Sequence, residues 1–287
     1  VDFVQVAGGA ATTAALASGD LDFAQGPPDP GAMNAILRGI PIKFVSALSL
    51  NRTDVVSSGL MIRKDLIDSG RFKTTADVKG MTIAMGPGTP GGISDFYMSL
   101  VLAKAGLTLA DIKTVYLPYP DASTALANKA IDGAWHIQPF VRTLESQGIA
   151  HMVEPLGNTY PGGITNSLII SPNFAQKQPE AARRFVTAEI RGMRDFWHAY
   201  IKKDNTADQP AIVQVLTKYT SVKDPKQWSD AVVPGVSPNG EMSDQVVNDF
   251  QNFYVKAGTQ QQLLDITKVV DHSYSDKSLQ LLGKIAT

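Results

Sequence analysis

The stretch Gly80-Met-Thr-Ile-Ala-Met-Gly-Pro-Gly-Thr-Pro-Gly-Gly-Ile-Ser-Asp95 predicts a strand, a glycine-rich loop and a helix in immediate succession. Its apolar part, Met81 to Met85, has the length of a buried strand. The next seven residues, Gly86 to Gly92, hold four glycines and two prolines and therefore predict a loop. From Ile93, apolar residues recur every three or four positions, as in a helix. Such a loop places backbone N–H groups at the positive end of a helix dipole, so we expect a seat for an anionic or strongly polar ligand group.

Other interpretations of this loop stay open. Gly86-Pro-Gly-Thr-Pro-Gly91 has the glycine spacing of the dinucleotide fingerprint, but its prolines remove N–H donors that a pyrophosphate would use. An acidic residue ends the next strand at Asp121, about thirty residues on instead of the usual twenty. The loop lacks Gly-Lys-Ser/Thr, and Ser94 does not lie in a G-x-S-x-G, so neither a Walker loop nor a nucleophile elbow is indicated. An ordinary strand-to-helix turn remains the alternative to a ligand seat.

Composition limits the class of protein. The 287 residues are 44% hydrophobic and 18% charged, which is typical of one large or two medium globular domains. With 26 basic and 27 acidic residues the net charge is −1, so a nucleic-acid partner is not indicated. The sequence has no cysteine, which excludes disulfides, thiolate metal sites and cysteine nucleophiles. The chain opens in an expected strand, Val1 to Val6, and we expect that an N-terminal segment has been removed or left out.

Short strands and helices alternate through the first half, which predicts an α/β fold with a largely parallel sheet. Two parts of this half resemble each other. Ala15-Leu-Ala17 is followed after three residues by Leu21-Asp-Phe-Ala24, and Ala125-Leu-Ala127 is followed after three residues by Ile131-Asp-Gly-Ala134. This order, with a proline-containing loop after each second element, predicts two similar α/β lobes. Ligands of such sheets bind beyond the carboxyl ends of the strands.

The second half is predicted to be mostly helical and to serve packing. Pro179 to Ile201 is expected to form a long amphipathic helix. Further helices are expected at five places: 213–219, 228–233, 243–257, 260–267 and 277–285. The four histidines, His136, His151, His198 and His272, show no metal-binding spacing, so neither a metal nor another cofactor is expected.

Five segments together carry a family resemblance: Ala15–Ala24, Met81–Ser94, Tyr119–Ala122, Ile131–Phe140 and Ser167–Phe185. In combination they resemble ABC-transporter substrate-binding proteins of the nitrate, sulfonate and taurine type, also called thiamine-precursor-synthase-like periplasmic binding proteins. The resemblance covers about residues 1–200. It implies a two-lobed type II periplasmic-binding fold in which residues 1–72 and 165–287 form lobe I and residues 73–164 form an inserted lobe II. The ligand would be trapped between the lobes by hinge closure.

Carried over position by position, the resemblance implies two sets of ligand-binding residues. Lobe I would contribute Gly8, Gly9, Ala10, Thr12, Gln25 and Asp29. Lobe II would contribute Thr89, Pro90, Gly91, Gly92, Ser94, Tyr119, Asp121, His136 and Gln138. The sequence departs from the family at two points. The family's first strand, loop and helix would precede Val1, and Ile137-Gln138 stands where the family usually has an aromatic-acidic pair. Loss of that carboxylate favours an anionic or neutral ligand.

The resemblance therefore predicts a non-catalytic, monomeric, periplasmic or lipid-anchored receptor that delivers a small solute, with an anion favoured, to the permease of an ABC importer. Sulfonates, nitrate, bicarbonate, carboxylates and pyrimidines all fit this description. Three alternatives differ in class: an enzyme of pyrimidine-precursor synthesis, an NAD(P)-dependent oxidoreductase that uses Gly86–Gly91, and a regulatory sensor domain. The first normally has a cysteine-rich motif, which is absent, and the third lacks a visible DNA-binding helix pair.

Overall fold

A computed structural model describes residues 1–4, 6, 9–220, 223–228 and 235–286, apart from the side chains of Ala10 and Gln227. The strands in these ranges are β1 Phe23–Gly26, β2 Lys43–Leu50, β3 Ser58–Arg63, β4 Thr82–Ala84, β5 Lys113–Val115, β6 Gly133–Ile137, β7 Ala150–Pro155 and β8 Ile164–Ile170. The helices are α1 Gly9–Ser18, α2 Pro30–Leu37, α3 Lys64–Asp68, α4 Ile93–Ala103, α5 Tyr119–Ala127, α6 Phe140–Ser146, α7 Leu156–Thr159, α8 Pro172–Lys177, α9 Pro179–Phe196, α10 Gln209–Tyr219, α11 Asp244–Lys256, α12 Ile266–Val269 and α13 Ser273–Leu282. The predicted α/β class is confirmed.

The chain divides into two compact units. Unit 1 consists of Val1–Leu50, Ile164–Trp197 and Val236–Thr287, and unit 2 consists of Asn51–Gly163 and His198–Gly235. The sequence prediction placed residues 51–72 and 198–235 in lobe I, whereas the contacts group both segments with unit 2. For the first segment the reason is strand pairing, since β3 pairs with β6 on one side and β7 on the other.

Unit 1 is built on an antiparallel sheet with the strand order β1-β8-β2. The apolar face of α9 packs on it, because Val186 and Ile190 lie against Leu48 and Leu168 in one buried cluster. The segments after residue 235 cover the outer side of β2. Ser237 donates its N–H to the Leu48 carbonyl over 3.0 Å, for example. This covering agrees with the packing role expected for the C-terminal region.

Unit 2 is built on a mixed sheet with the order β5-β4-β6-β3-β7. Only the β4–β5 and β4–β6 ladders are parallel among the described strands, so the expectation of a largely parallel sheet is wrong. The antiparallel members are β3, which lies next to β6, and β7, which the sequence analysis did not predict. The core of this unit joins Ala122 and Leu126 of α5 to Ala134 of β6 and Leu144 of α6.

Several predicted elements differ from those observed. Residues 1–4 and 6 form no regular structure, so the strand expected over Val1 to Val6 is not observed in them, and Val1, Phe3 and Val4 are exposed. The helix expected over 260–267 is irregular until α12 begins, because the buried Gln251 amide oxygen accepts hydrogen bonds from the Gln260 side chain and the Leu264 N–H, each over 2.8 Å. The helix expected over 228–233 lies mostly outside the described residues.

The internal resemblance within the first half does correspond to a repeated order of elements. Helix α1 leads into β1 in unit 1, and α5 leads into β6 in unit 2. The surrounding sheets differ, since β1 has one antiparallel neighbour and β6 lies between a parallel and an antiparallel strand. Among the described helices, none combines the length and the apolar character that crossing a bilayer requires.

Candidate functional site

The glycine-rich loop of unit 2 follows β4 and lies against the first residue of α5. Gly86 has a φ of +74°, and a Cβ atom placed on it would be 3.0 Å from the Tyr119 ring. Glycine is the residue that adopts this backbone conformation without cost and also leaves room for the ring. The loop and Tyr119, which the sequence linked only by resemblance, are therefore in contact.

The start of α4 is occupied by a carboxylate of the chain itself. The Asp95 side chain, only 5% exposed, accepts the Gly91 N–H over 2.7 Å. It also accepts the hydroxyl of Tyr116, whose oxygen lies 2.8 and 2.9 Å from the two carboxylate oxygens. Burial raises the pKa of Tyr116, and its contact with Asp95 raises it further, so this hydroxyl stays a donor. The Gly91 N–H that was expected to hold an anion is thus already bound.

The remaining predicted residues of this loop are arranged around the same turn. The Gly92 N–H donates to the Thr89 carbonyl over 3.1 Å, and Thr89 and Pro90 are exposed. Ser94 is half-buried in the first turn of α4. These positions form a compact turn in which backbone donors bind groups of the loop and of α4.

An aromatic cluster lies at the junction of α5, β6 and α6. We define it by Tyr119, His136 and Phe140, whose ring centroids are 5.4 to 6.0 Å apart. Tyr119 and Phe140 are half-buried, while His136 is fully buried. Burial raises the pKa of Tyr119 to about 12, so its hydroxyl is un-ionised at neutral pH. The cluster offers planar apolar surface with a buried imidazole within it.

His136 has one nitrogen bound and one nitrogen without a partner. Its Nε2 lies 3.0 Å from the hydroxyl of Ser123, and its Nδ1 has no hydrogen-bond partner among the described residues. Burial lowers the pKa of His136 to about 4, so the imidazole is neutral at physiological pH. A buried polar atom without a partner is costly, and it points to a group that the protein alone does not supply.

Two further predicted residues lie beside the cluster. Gln138 uses both ends of its amide internally, since Nε2 donates to the Val56 carbonyl over 3.0 Å and Oε1 accepts the Arg142 N–H over 3.3 Å. It therefore braces the end of β6. Asp121 is exposed in the first turn of α5.

In unit 1 the predicted residues centre on Asp29, which caps α2. Its Oδ1 accepts the Ala32 N–H over 2.8 Å, and a Cβ atom on Gly9 would be 3.0 Å from its Oδ2. Burial raises the pKa of this carboxyl above its ordinary value, against the opposing effect of the N–H groups of Ala32 and Gly31. The Asp29 carboxylate therefore lies at the start of α1 as well as at the start of α2, just as the Asp95 carboxylate lies at the start of α4.

The other unit 1 positions are less informative. Thr12 is half-buried on α1, and Gln25 is exposed on β1 opposite Leu168. Gly8 lies outside the described residues, as does the side chain of Ala10. The structure therefore brings together Gly9 with Asp29 in unit 1 and Tyr119 with His136 in unit 2.

Sequence reasoning missed four residues of these sites: Phe140, Ser123, Asp95 and Tyr116. Ser123 and Phe140 each follow a predicted residue by four positions, Tyr119 and His136 respectively, but such spacing is too common to single them out. Tyr116 reaches Asp95 across 21 residues of sequence, which no local pattern reveals.

An open groove elsewhere on unit 2 contains none of the predicted residues. It runs along β7 and is lined by Phe72, Lys73, Thr74, Thr75, His151, Met152, Val153 and Glu154. Within the described ranges, no group of three or more His, Cys, Asp or Glu side chains is placed to hold a metal ion.

Comparisons with known proteins place these features in a family. The model of the NMT1-like family matches residues 1–214. A Brucella abortus protein named "Putative binding protein BAB2_1146" is 30% identical over 211 residues, which is 72% of this chain and 58% of that protein. The chain thus spans less than two thirds of the length of this curated relative.

Solved structures share the fold at low sequence identity. The nitrate-binding protein NrtA of Synechocystis PCC 6803 has a TM-score of 0.73 at 15% identity, over 96% of this chain and 78% of that chain. The aliphatic sulphonate-binding protein SsuA of Escherichia coli has a TM-score of 0.67 at 16% identity, over 91% and 79%. The desulfurization enzyme DSZB has a TM-score of 0.62 at 14% identity, over 92% and 87%.

The architecture is therefore the one expected from the resemblance, that of periplasmic binding proteins of the SsuA and NrtA type. Because the family model covers more than half of the sequence, the chain belongs to the NMT1-like family.

Proposed function

We propose that this chain is a solute-binding receptor, without catalytic activity, that delivers a small molecule to the permease of an ABC importer. The observation that carries the proposal is the partnerless Nδ1 of His136, buried in the aromatic cluster. A ligand group that meets this nitrogen and covers the Tyr119 and Phe140 rings would satisfy both the polar atom and the apolar surface. Family membership and the shared fold with nitrate-binding and sulfonate-binding proteins support the same function.

We propose binding residues from the set predicted by the sequence, but we assign them different roles. Tyr119 and His136 contact the ligand directly, and the loop Gly86–Gly92 shapes the neighbouring surface. Gly9 and Asp29 are the proposed contacts in unit 1. Gln138 acts through the backbone that it braces, because its amide is already bound at both ends.

The receptor is proposed to work outside the cytoplasm, as the periplasmic proteins SsuA and NrtA do, and to be a monomer. An enzymatic role has weaker support. DSZB shows that the fold can carry catalysis, but this sequence has no cysteine, so no reaction that needs a protein thiol can be placed on it.

A thermal-shift screen tests the proposal. The compounds are taurine, alkanesulfonates, nitrate, bicarbonate, aliphatic and aromatic carboxylates, amides, pyrimidines and NAD(P). A ligand at a hundred times its Kd stabilises the folded protein by about 2.7 kcal/mol, which is readily detected. A shift with one small solute and none with NAD(P) is the expected result. A shift with NAD(P) alone would overturn the receptor and favour an oxidoreductase that uses Gly86–Gly91.

Matched variants then locate the site. Tyr119→Leu is expected to weaken binding of the solute that gave the largest shift by about tenfold, which corresponds to about 1.4 kcal/mol. Tyr219→Leu is the control, because Tyr219 is an exposed tyrosine of the same unit that lies on α10 and is not a member of the aromatic cluster. Equal affinities of the two variants, measured by calorimetry, would move the site away from Tyr119.

A further inference from the structure

Ser123 makes two hydrogen-bond contacts with one hydroxyl. Its Oγ lies 2.9 Å from the Tyr119 backbone carbonyl and 3.0 Å from His136 Nε2. A carbonyl oxygen can only accept, so the single hydroxyl proton must be donated to Tyr119 if that bond is to form. Serine in a helix commonly donates in this way to the carbonyl four residues earlier.

The position of the imidazole proton follows from this arrangement. Since the Ser123 proton is used on Tyr119, the contact with His136 is satisfied only when Nε2 carries a proton and donates it to the Ser123 oxygen. In the opposite tautomer Nε2 carries no proton. Its lone pair would then face the lone pair of the Ser123 oxygen, unless Ser123 turned its proton to Nε2 and gave up the bond to the Tyr119 carbonyl. In a neutral imidazole the second nitrogen is then unprotonated, and it is an acceptor.

We propose that Ser123 is a positioning residue that fixes the Nε2–H tautomer of His136, so that Nδ1 is a buried acceptor and the site selects a solute with an N–H or O–H donor. This inference rests on the proposed function. It names the solute by chemistry: a small molecule with a planar or apolar part and a hydrogen-bond donor next to it.

The surroundings of the aromatic cluster agree with this selection. At neutral pH the imidazole carries no charge, because burial holds the pKa of His136 near 4. The side chains of His136 and Gln138 bond to a hydroxyl, a backbone carbonyl and a backbone N–H of the described residues, all uncharged. Nearby, the start of α4 is faced by the Asp95 carboxylate. Nitrate and simple alkanesulfonates have no donor, so they would set oxygen lone pairs against the Nδ1 lone pair.

The first test measures the tautomer directly. Nitrogen-15 NMR at pH 7.5 distinguishes protonated from unprotonated imidazole nitrogens, and with only four histidines the His136→Gln variant assigns the signals. We expect wild-type His136 to be Nε2–H. We expect Ser123→Ala to give a mixture of tautomers and Ser123→Thr, which keeps the hydroxyl, to restore the wild-type pattern. An unchanged Nε2–H tautomer in Ser123→Ala would remove the positioning role.

The second test measures selectivity with matched pairs. Taurine is compared with propanesulfonate, and benzamide with N,N-dimethylbenzamide, because one member of each pair lacks an N–H donor. For a pair that binds, we expect the donor member to bind at least tenfold more tightly to wild type and to Ser123→Thr, and this ratio to fall in Ser123→Ala. Thermal unfolding of each variant confirms that it is folded.

The outcomes separate this inference from the proposed function. Tight binding of nitrate or propanesulfonate, with an affinity unaffected by Ser123→Ala, would keep the receptor and overturn donor selection. If no solute of the whole screen binds, the receptor and the donor selection both fall, while the NMR result still decides whether Ser123 positions the imidazole.

Discussion

Asp95 and Asp29 each place a carboxylate where the N–H groups at the start of a helix would otherwise attract an anion. Asp95 binds the Gly91 N–H at the start of α4, and Asp29 caps α2 while its second oxygen faces Gly9 at the start of α1. Helix N-termini favour negative charge, and in both places the chain supplies that charge itself. The sequence analysis expected an anionic ligand because a helix begins after the glycine-rich loop. It could not foresee that carboxylates of the chain would bind at the helix starts.

His136 gives a prediction on pH dependence. Its pKa is about 4 in the folded protein and ordinarily 6.5, so the unfolded chain takes up a proton at a higher pH than the folded one. The contribution of His136 to stability is therefore complete above pH 6.5 and is lost progressively as the pH falls from 6.5 to 4. The full loss is on the order of 3 kcal/mol, at 1.36 kcal/mol per unit of pKa.

Urea unfolding at pH 7.5 and pH 4.5 measures this loss. The comparison is between wild type and His136→Gln, which keeps a polar side chain but cannot titrate in this range. Carboxylates change the stability of both proteins alike, so the wild type should lose more stability than the variant between the two pH values. Equal losses would show that the buried imidazole is protonated as easily as a free one.

At the scale of elements, the sequence predicted those whose signal is local. The face of α9 that holds Ala182, Val186 and Ile190 is buried as its spacing of three and four required, and α4 begins at Ile93 as expected. By contrast, β7 was missed, because its burial alternates imperfectly and a long-range ladder with β3 stabilises it. Val1 to Val6 has a strand-like pattern, yet residues 1–4 and 6 belong to no strand of the structure.

Two helical glycines are predicted to respond in opposite ways to alanine. Gly192 lies inside α9, and a Cβ atom there would meet nothing within 4 Å, so Gly192→Ala should stabilise the protein by about 0.5–1 kcal/mol. Gly157 lies in α7, where a Cβ atom would be 1.8 Å from the Arg52 carbonyl oxygen. Because a backbone atom cannot move aside easily, Gly157→Ala should cost about 3 kcal/mol.

Urea titrations of both variants provide the measurement, and each serves as the control for the other. If both substitutions changed the free energy of unfolding in the same direction, helix propensity alone would decide their effect. A neutral Gly157→Ala would mean that α7 and the Arg52 backbone can move apart far enough to admit a methyl group.

At the scale of the whole molecule, the sequence predicted two α/β lobes but could not place their limits. The family resemblance implied a boundary between residues 72 and 73, while the contacts divide the chain after Leu50. The difference comes from β3, which pairs with β6 more than seventy residues further along the chain. Pairing over that distance depends on the whole sheet, and a pattern within β3 itself cannot reveal it.

The distribution of exposed apolar side chains predicts the state of association. A stable dimer buries about 1,200–2,000 Å² in an interface with an apolar core. The large apolar residues that are exposed among the described residues are spread over five parts of the chain: Val1, Phe3 and Val4; Val56; Val215 and Tyr219 of α10; Leu263; and Leu281. With a net charge of −1, the chain also has little overall repulsion to keep copies apart. We therefore expect a monomer of 30.7 kDa at micromolar concentration and association only when the protein is concentrated.

Light scattering after gel filtration over a hundredfold range of concentration checks this expectation. Association is expected to begin at residues 1–4, since an exposed apolar strand-like segment can pair with the edge of another sheet. Val4→Lys places a charge in that segment and should keep the protein monomeric at the highest concentration. Leu281→Lys, a change of the same kind on α13, is the control and should leave the association unchanged. A dimer at micromolar concentration that survives Val4→Lys would mean that another surface of the molecule is an interface between copies.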